Sequence, residues 1–454
     1  MKQLLAYCLS IILCVSFTGC MENYLDLYPE DKITSASFPE NESDIKLLLN
    51  GVYAQLREKE VYNQGLFGFG ITDGATPNAF NWGTDEVFNK LGAGRLSSSD
   101  GGVVTYRWKR CYEIISRANY LLACMDLVDL SEEAKAKYSG ETHFLRGLAY
   151  SVLAETYGGV PIILTNISTE EARSLKRASL EETWQQALDD YEVAITNLGV
   201  DAPEPGRATK GAALGMKMRA YLYQGKYKEV LSCVEQIDAL KKYGLFHSYE
   251  GLFDPANENN KEVLFDIQYI EGENSQGSYI DQYCGTGTGS WTRGSRYVPT
   301  DDLVAAYETI DGSPVDPENP YENRDPRLGF TAVLPGSYFL GYRFPNYLYP
   351  GGAFNHAGNR LKHLSTRKYR IQDESKLPPS GQSYINDIIL RYADVLLSKA
   401  EAIIETNGNV ADAIAILNRI RTERDDVKIS LLPTSMSREG AREKVRHERR
   451  IELA

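Results

Sequence analysis

Two segments far apart in the chain repeat one register of apolar and small residues. In "ALGMKMRAYLYQGKYKEVLSCVEQI", Leu214, Met218, Tyr221, Gly225, Tyr227, Val230, Val234 and Ile237 mark two amphipathic helices joined at Gln224-Gly225-Lys226. In "VLLSKAEAIIETNGNVADAIAILNRI", Leu397, Ala400, Ile404, Gly408, Val410, Ala413, Leu417 and Ile420 repeat the pattern. The spacing is near that of tetratricopeptide helical pairs, which fixes a mostly α-helical architecture.

Further helical periods support it. Ile45, Leu48, Leu49, Val52, Tyr53 and Leu56 share a face, and helices are predicted over 103–125, 132–157 and 179–198. Asn119 falls on the apolar face of the 103–125 helix and is expected to be a buried hydrogen-bonder. Trp108 and Trp184 sit in helical patterns and are expected in the core. Helical pairs are thus predicted at about 43–60, 103–240 and 385–454, within one domain over 43–454. Two long stretches break the pattern, at about 63–102 and 244–384. Both are rich in Gly, Asn and other turn residues, and a repeat array needs neither for its own core. Long irregular segments in compact proteins are usually functional, so the binding surface is expected there.

The N-terminus sets the compartment. Lys2 precedes an almost wholly apolar run, Leu4 to Phe17, too short to span a bilayer but suited to a signal peptide. Small residues then lead to a cysteine in Ser16-Phe17-Thr18-Gly19-Cys20, which resembles a bacterial lipobox. Cleavage after residue 19 would leave Cys20 acylated, with 20–42 as an extended tether. It would also remove one positive charge and take the formal net charge from −13 to −14. Such a balance argues against nucleic acid and against an electrostatic grip on anionic lipid.

Of seven cysteines, Cys111, Cys124, Cys233 and Cys284 remain beyond Cys20, and none has zinc-site or thioredoxin spacing. The first three lie in helical patterns and are expected to be small buried apolar residues. Gly285-Thr286-Gly287-Thr288-Gly289 lacks the ending of a phosphate loop. "DGSPVDPEN" offers Asp311, Asp316 and Glu318 without EF-hand spacing, and reads as a solvated turn. "NRDPRL" reads as a structural ion-pair corner of Arg324, Asp325 and Arg327. No cofactor or metal site is predicted.

The chain holds 30 tyrosines against 5 histidines, so aromatic faces are plentiful and imidazoles few. A neutral glycan is held by aromatic rings against its C–H faces and by amide, carboxylate and guanidinium groups on its hydroxyls. The loops carry that set. "DGATPNAFNWGTDE" supplies Asp73, Asn78, Asn81 and Trp82, and "DQYCGTGTGSWTRGSRY" supplies Tyr283, Trp291, Arg293 and Tyr297. These eight are the candidate ligand-binding residues; no catalytic residue is assigned.

Taken in order, the lipobox, "LLLNGVYAQL", "YEIISRANYLL", "ETHFLRGLAYSVLAETYGGVPII", "PTDDLVAAYETIDG", "NRDPRL", "TRKYRI" and "ILRYADVLLSKAEAIIETNG" resemble the SusD/RagB outer-membrane lipoproteins of Bacteroidetes. The resemblance implies a tetratricopeptide-like core with an irregular ligand-binding region. It implies a surface lipoprotein that binds oligo- or polysaccharide and sits as a lid on a SusC-like TonB-dependent transporter, with no chemistry of its own. "VRHERRIELA" resembles a helix that in the family runs on into a further block, so the sequence reads as shortened at Ala454. Peptide uptake within the same family, and a surface glycoside hydrolase, are the alternative functions.

Overall fold

The structure is a computed structural model that describes residues 38–57, 73–81, 90–97, 99–271, 277–278, 297–344, 364–379 and 382–454. Among the described residues nine long helices carry it: α1 (Glu42–Tyr53), α2 (Val103–Cys124), α3 (Glu132–Tyr157), α4 (Leu180–Asn197), α5 (Lys210–Tyr223), α6 (Tyr227–Ala239), α7 (Tyr392–Glu405), α8 (Val410–Thr422) and α9 (Arg438–Leu453). Their N-termini are written in the sequence. Ser131, Thr209, Asn409 and Ser437 each accept a backbone N–H from the first turn. Ser179 and Glu182 close a reciprocal capping box on α4.

The helices pack as neighbouring pairs, α3 on α4, α5 on α6, and α7 on α8. Buried from Phe144 to Ala154 on every side, α3 is the central helix. Gly147 lets α4 approach it closely: a Cβ there would lie 3.0 Å from Asp190 Cβ and 3.1 Å from the Ala187 carbonyl. Across this contact Arg146 donates to Asp190 at 2.7 Å and to Asn119 Oδ1 at 2.7 Å. Asn119 in turn donates to the carbonyls of Ile163 and Thr165. It is the buried hydrogen-bonder its helical register predicts.

The two repeated pairs turn as the sequence implies, with one difference. Gly225 takes the left-handed conformation (φ +67°) between α5 and α6, whereas in the second pair Asn407 (φ +61°) takes it, one residue before Gly408. Asparagine tolerates that region better than most side chains, and the second turn is one residue longer, 406–409 against 224–226. Cys111, Cys124 and Cys233 are buried free thiols, and burial pushes the Cys233 thiol up to about 11. Trp184 is buried, and Trp108 packs at the core edge against Tyr112 and Tyr157. No described helix is long and apolar enough to cross a membrane.

Strands account for what helical periodicity missed. β1 is Ala79–Asn81, β2 Val263–Ile267, β3 Tyr297–Pro299 and β4 Asp387–Arg391. β2 pairs antiparallel with β4, from Val263 opposite Arg391 to Ile267 opposite Asp387. The helical segment predicted from about 385 therefore begins at Tyr392, after a strand. A short apolar run such as "DIILR" suits a buried strand and a buried helix equally well, and pairing with β2 decides it.

The corner "NRDPRL" is an ion-pair corner for Asp325 and Arg327, within a larger buried network, whereas Arg324 donates instead to the backbone carbonyls of Pro320 and Tyr307. Arg327 donates to Asp325 (2.8 Å), Glu448 (2.7 Å) and Glu452 (2.8 Å). Arg391 and Arg424 each reach both Glu262 and Glu452, at 2.6–3.0 Å. Arg421 joins Glu448 to Glu308. Burial alone would raise the Glu452 carboxyl, but the guanidinium groups of Arg424, Arg391 and Arg327 outweigh it and hold it well below its ordinary 4.5.

Removing one partner from such a set strands buried charge. Arg327→Met is expected to lose about 3–5 kcal/mol in urea unfolding at pH 7. A lowered carboxyl pKa adds stability that is present in full above the ordinary value and is lost as pH falls through the folded one. The deficit should therefore hold steady from pH 8 to about 5 and shrink below about 4.5. A deficit under 1 kcal/mol, or one independent of acid, would contradict the assignment.

Candidate ligand-binding site

The two irregular segments of the sequence meet in one ladder. β1 from the first pairs antiparallel with β3 from the second, with Ala79 opposite Pro299, Phe80 opposite Val298 and Asn81 opposite Tyr297. Two of the eight candidate residues, Asn81 and Tyr297, are thus direct cross-strand partners although far apart in the chain. The ladder is pinned at one end by Thr300. Its N–H donates to the Asn78 carbonyl at 3.0 Å and its hydroxyl to the Pro77 carbonyl. The same hydroxyl accepts from Leu303 N and caps the short helix Asp301–Ala306.

Asp73 and Asn78 line a cleft of about 330 Å³ together with Arg446, Arg449 and Arg450 of α9. Asn78 Oδ1 accepts from Arg450 Nε at 2.7 Å, so one face of this candidate amide is held by the helical core. Arg449 pairs with Asp394 at 2.8 Å, and Asp394 pairs also with Arg219 at 2.6 Å. Burial would raise the Asp394 carboxyl, yet Arg449 and Arg219 together hold it well below the carboxylate range. Arg449 and Arg450 therefore stand in fixed positions, with guanidinium N–H groups beside a carboxylate and an amide, a set suited to hydroxyl recognition.

Trp82, Tyr283, Trp291 and Arg293 lie outside the described residues, and for Asn81 and Tyr297 only the backbone position is described. Sequence reasoning passed over Phe80, which sits inside the quoted "DGATPNAFNWGTDE" and is 41% exposed on β1. An aromatic beside Asn81 in a predicted binding loop was the available signal. The arginines of α9 carried no such signal, because their helix reads as ordinary charged surface. Asp311 and Asp316 close turns on Ser313 and on Glu318 and Asn319, and among the described residues no group of three acidic, His or Cys side chains could hold a metal ion.

Thr300→Val removes the hydroxyl half of the pin and the cap together, leaving the backbone bond to Asn78. It should cost about 1 kcal/mol, within the usual range for losing an N-cap. Amide hydrogen exchange should quicken at 79–81 and 297–303 while α3 and α4 are unaffected. Unchanged exchange at both strands would show that the ladder does not depend on Thr300.

The comparisons with known proteins agree with this architecture. Residues 261–454 match the model of the SusD family, and residues 23–222 match a model described as "Starch-binding associating with outer membrane". SusD-like protein P25 of Formosa agariphila is 26% identical, over 100% of this chain and 87% of that protein. A SusD-like protein of Bacteroides ovatus is 24% identical over 89% of this chain and 73% of its own length. Among solved structures, a SusD-like carbohydrate binding protein of Bacteroides fragilis superposes with a TM-score of 0.79 at 27% identity, over 91% of this chain and 84% of that one. A laminarin binding SusD-like protein shares the fold, at a TM-score of 0.72 and 21% identity, over 91% of this chain and 89% of its own.

Proposed function

The chain belongs to the SusD family, and we infer that it binds a neutral glycan at the outer membrane and passes it uncleaved to a SusC-like TonB-dependent transporter. In this reading lipid on Cys20 anchors it, facing the exterior, and the helical core rests on the barrel as a lid. The observation that carries the glycan reading is the β1–β3 ladder, which joins the two aromatic- and amide-rich segments at Asn81 and Tyr297. The relatives' names support it: one solved neighbour is a carbohydrate binding protein and another binds laminarin.

Hydrolysis needs two carboxyl groups about 5–9.5 Å apart around one bond, one of them with a raised pKa. Among the described residues, Glu258 and Asp266 are two carboxyl groups that line one cavity together. Burial pushes Glu258 up to about 7 and Asp266 up to about 6. Asp266, however, accepts from the amides of Gln268 and Asn386, and Glu258 accepts from the Asn386 N–H. The cavity they line together is about 10 Å³, room for about one water. Binding without cleavage is the better reading of these groups.

Phe80→Ala, Trp82→Ala and Trp291→Ala should each weaken oligosaccharide binding. An aromatic platform is worth about 1–3 kcal/mol, by analogy with stacking on bases, or roughly 5- to 150-fold in affinity. Calorimetric titration should show this with melting temperatures unchanged. Normal binding by all three variants would overturn the site, and product sugars in the titration would revive the hydrolase.

Partnership is tested separately. Pull-down of the full-length lipoprotein from mildly solubilised outer membrane should recover a large TonB-dependent barrel, and Cys20→Ala should shift the protein to the soluble fraction. Intact bait without a barrel would favour a free-standing binder.

A further inference from the structure

A second cavity, of about 370 Å³, opens between the end of α1, the turn Glu204–Arg207 and the far end of β2. It shares no lining residue with the β1–β3 ladder or with the Asp73 cleft. Its size falls within the roughly 300–1,000 Å³ of ordinary small-molecule sites. Leu56 and Ile267, both buried, form an apolar base, and Ile270, 64% exposed, stands at the rim.

The polar wall is held rigidly. The Arg207 guanidinium lies 4.9 Å from the centre of the Tyr53 ring and donates to Asn50 Oδ1 at 2.6 Å. It also donates to Glu204 at 3.2 Å and reaches the buried Glu141 at 3.5 Å. Tyr53 donates to Glu141 at 2.8 Å and accepts from the Ala208 N–H at 3.0 Å. Gly206, at φ +78°, brings the turn onto the strand end, since a Cβ there would lie 2.3 Å from Gln268 Cγ. Gln268 donates to Asp266 at 2.7 Å and to Asn259 at 3.0 Å.

Charge narrows what such a cavity can take. Two guanidinium groups, Arg57 and Arg207, face two carboxyl groups, Glu204 and Asp266, around its wall. A charged ligand would meet both signs in that mixed wall, and at Arg207 it would compete with the Glu204 carboxyl already paired there. A neutral polyol displaces nothing. Its hydroxyls can meet the Asn50 amide N–H groups and Gln268 Oε1, and its C–H face can lie on Ile267 and Ile270. Groups already fixed by their neighbours lose little freedom on binding.

We propose that this cavity is a second glycan-binding subsite, taking a short neutral segment of an oligosaccharide between Asn50, Arg207 and Gln268. It rests on the glycan reading above and adds to it a contact far in sequence from either aromatic loop.

The test uses the full chain with laminarihexaose, maltohexaose and xylohexaose, read by calorimetry and by hydrogen exchange of peptides covering 50–57, 204–208 and 264–270. A probe that binds should slow exchange in all three peptides, and should still do so in Trp82→Ala/Trp291→Ala. Asn50→Ala/Gln268→Ala should abolish that protection and weaken binding at least 5-fold. Ile270→Asp, at an already exposed rim position, should give the same loss without touching the hydrogen-bond network. Binding with protection confined to 73–81 and 297–300, or unchanged by these variants, overturns the subsite and leaves the glycan reading standing. If none of the three probes binds, both fall together.

Discussion

Five segments distant in the chain converge on one buried set of charges. Arg327, Arg391 and Arg424 converge on Glu452, while Glu262 and Glu448 bridge the same arginines and Arg421. These residues come from the Asp325–Arg327 corner, the end of β4, the residue before β2, the end of α8, and α9. Apolar side chains in their place would be cheaper to bury, because desolvation of so many ions consumes most of their mutual attraction. What paired charge adds is direction. A guanidinium fork accepts carboxylates only along its N–H vectors, so each segment can dock in one register. Arg424 uses its remaining face on the Tyr249 ring, 5.4 Å away, which joins the small second core of Tyr249, Leu252, Phe253, Val427 and Ile429 to the network.

The binding region inherits its position from that network. α9 supplies Glu448 and Glu452 to the buried set, and from its next positions Arg449 and Arg450 to the Asp73–Asn78 cleft. The first irregular segment is therefore gripped by a helix whose own register is fixed by ion pairs, and among the described residues it meets the second in a three-pair ladder pinned by Thr300. Such an arrangement places aromatic and amide groups from distant parts of the chain side by side without enlarging the apolar core.

How much of this was legible follows from what each interaction looks like in a sequence. Helical pairs announce themselves through local spacing, so Leu214, Val230, Leu397 and Leu417 could be placed in the core from their periods alone, and they are buried there. Asn119 was legible for the same reason, as a polar residue on an apolar face. The Asp325–Arg327 pair was visible because both partners lie within one corner. Glu448 and Glu452 were not, since their partners lie on other elements, 27 to 125 residues away, and their own helix is almost uniformly charged. The β2–β4 and β1–β3 ladders are non-local in the same sense, and their strands are too short to show a period of two. For the candidate site, sequence chemistry proposed Asp73, Asn78, Asn81 and Tyr297, and it gave no pointer to the arginines of α9 that share a cleft with the first two. Composition can say which groups suit a sugar hydroxyl, but only tertiary contact says which helix presents them.

The same division explains how a fold can persist at such distance in sequence. The Bacteroides fragilis carbohydrate binding protein shares only 27% of its residues with this chain, yet the paths superpose with a TM-score of 0.79. Apolar core positions tolerate exchange among residues of similar volume, because packing asks for shape and not identity. Directional contacts are less forgiving, and here they hold the frame: Arg146 with Asp190, Asp394 with Arg219 and Arg449, and Arg327, Arg391 and Arg424 on Glu452. The β1–β3 ladder is held by backbone pairing and by Thr300, and the segments it joins can change side chains there without disturbing that frame. A binding surface built on those segments is free to follow its ligand, while the helices and their buried arginines keep the frame on which it is presented.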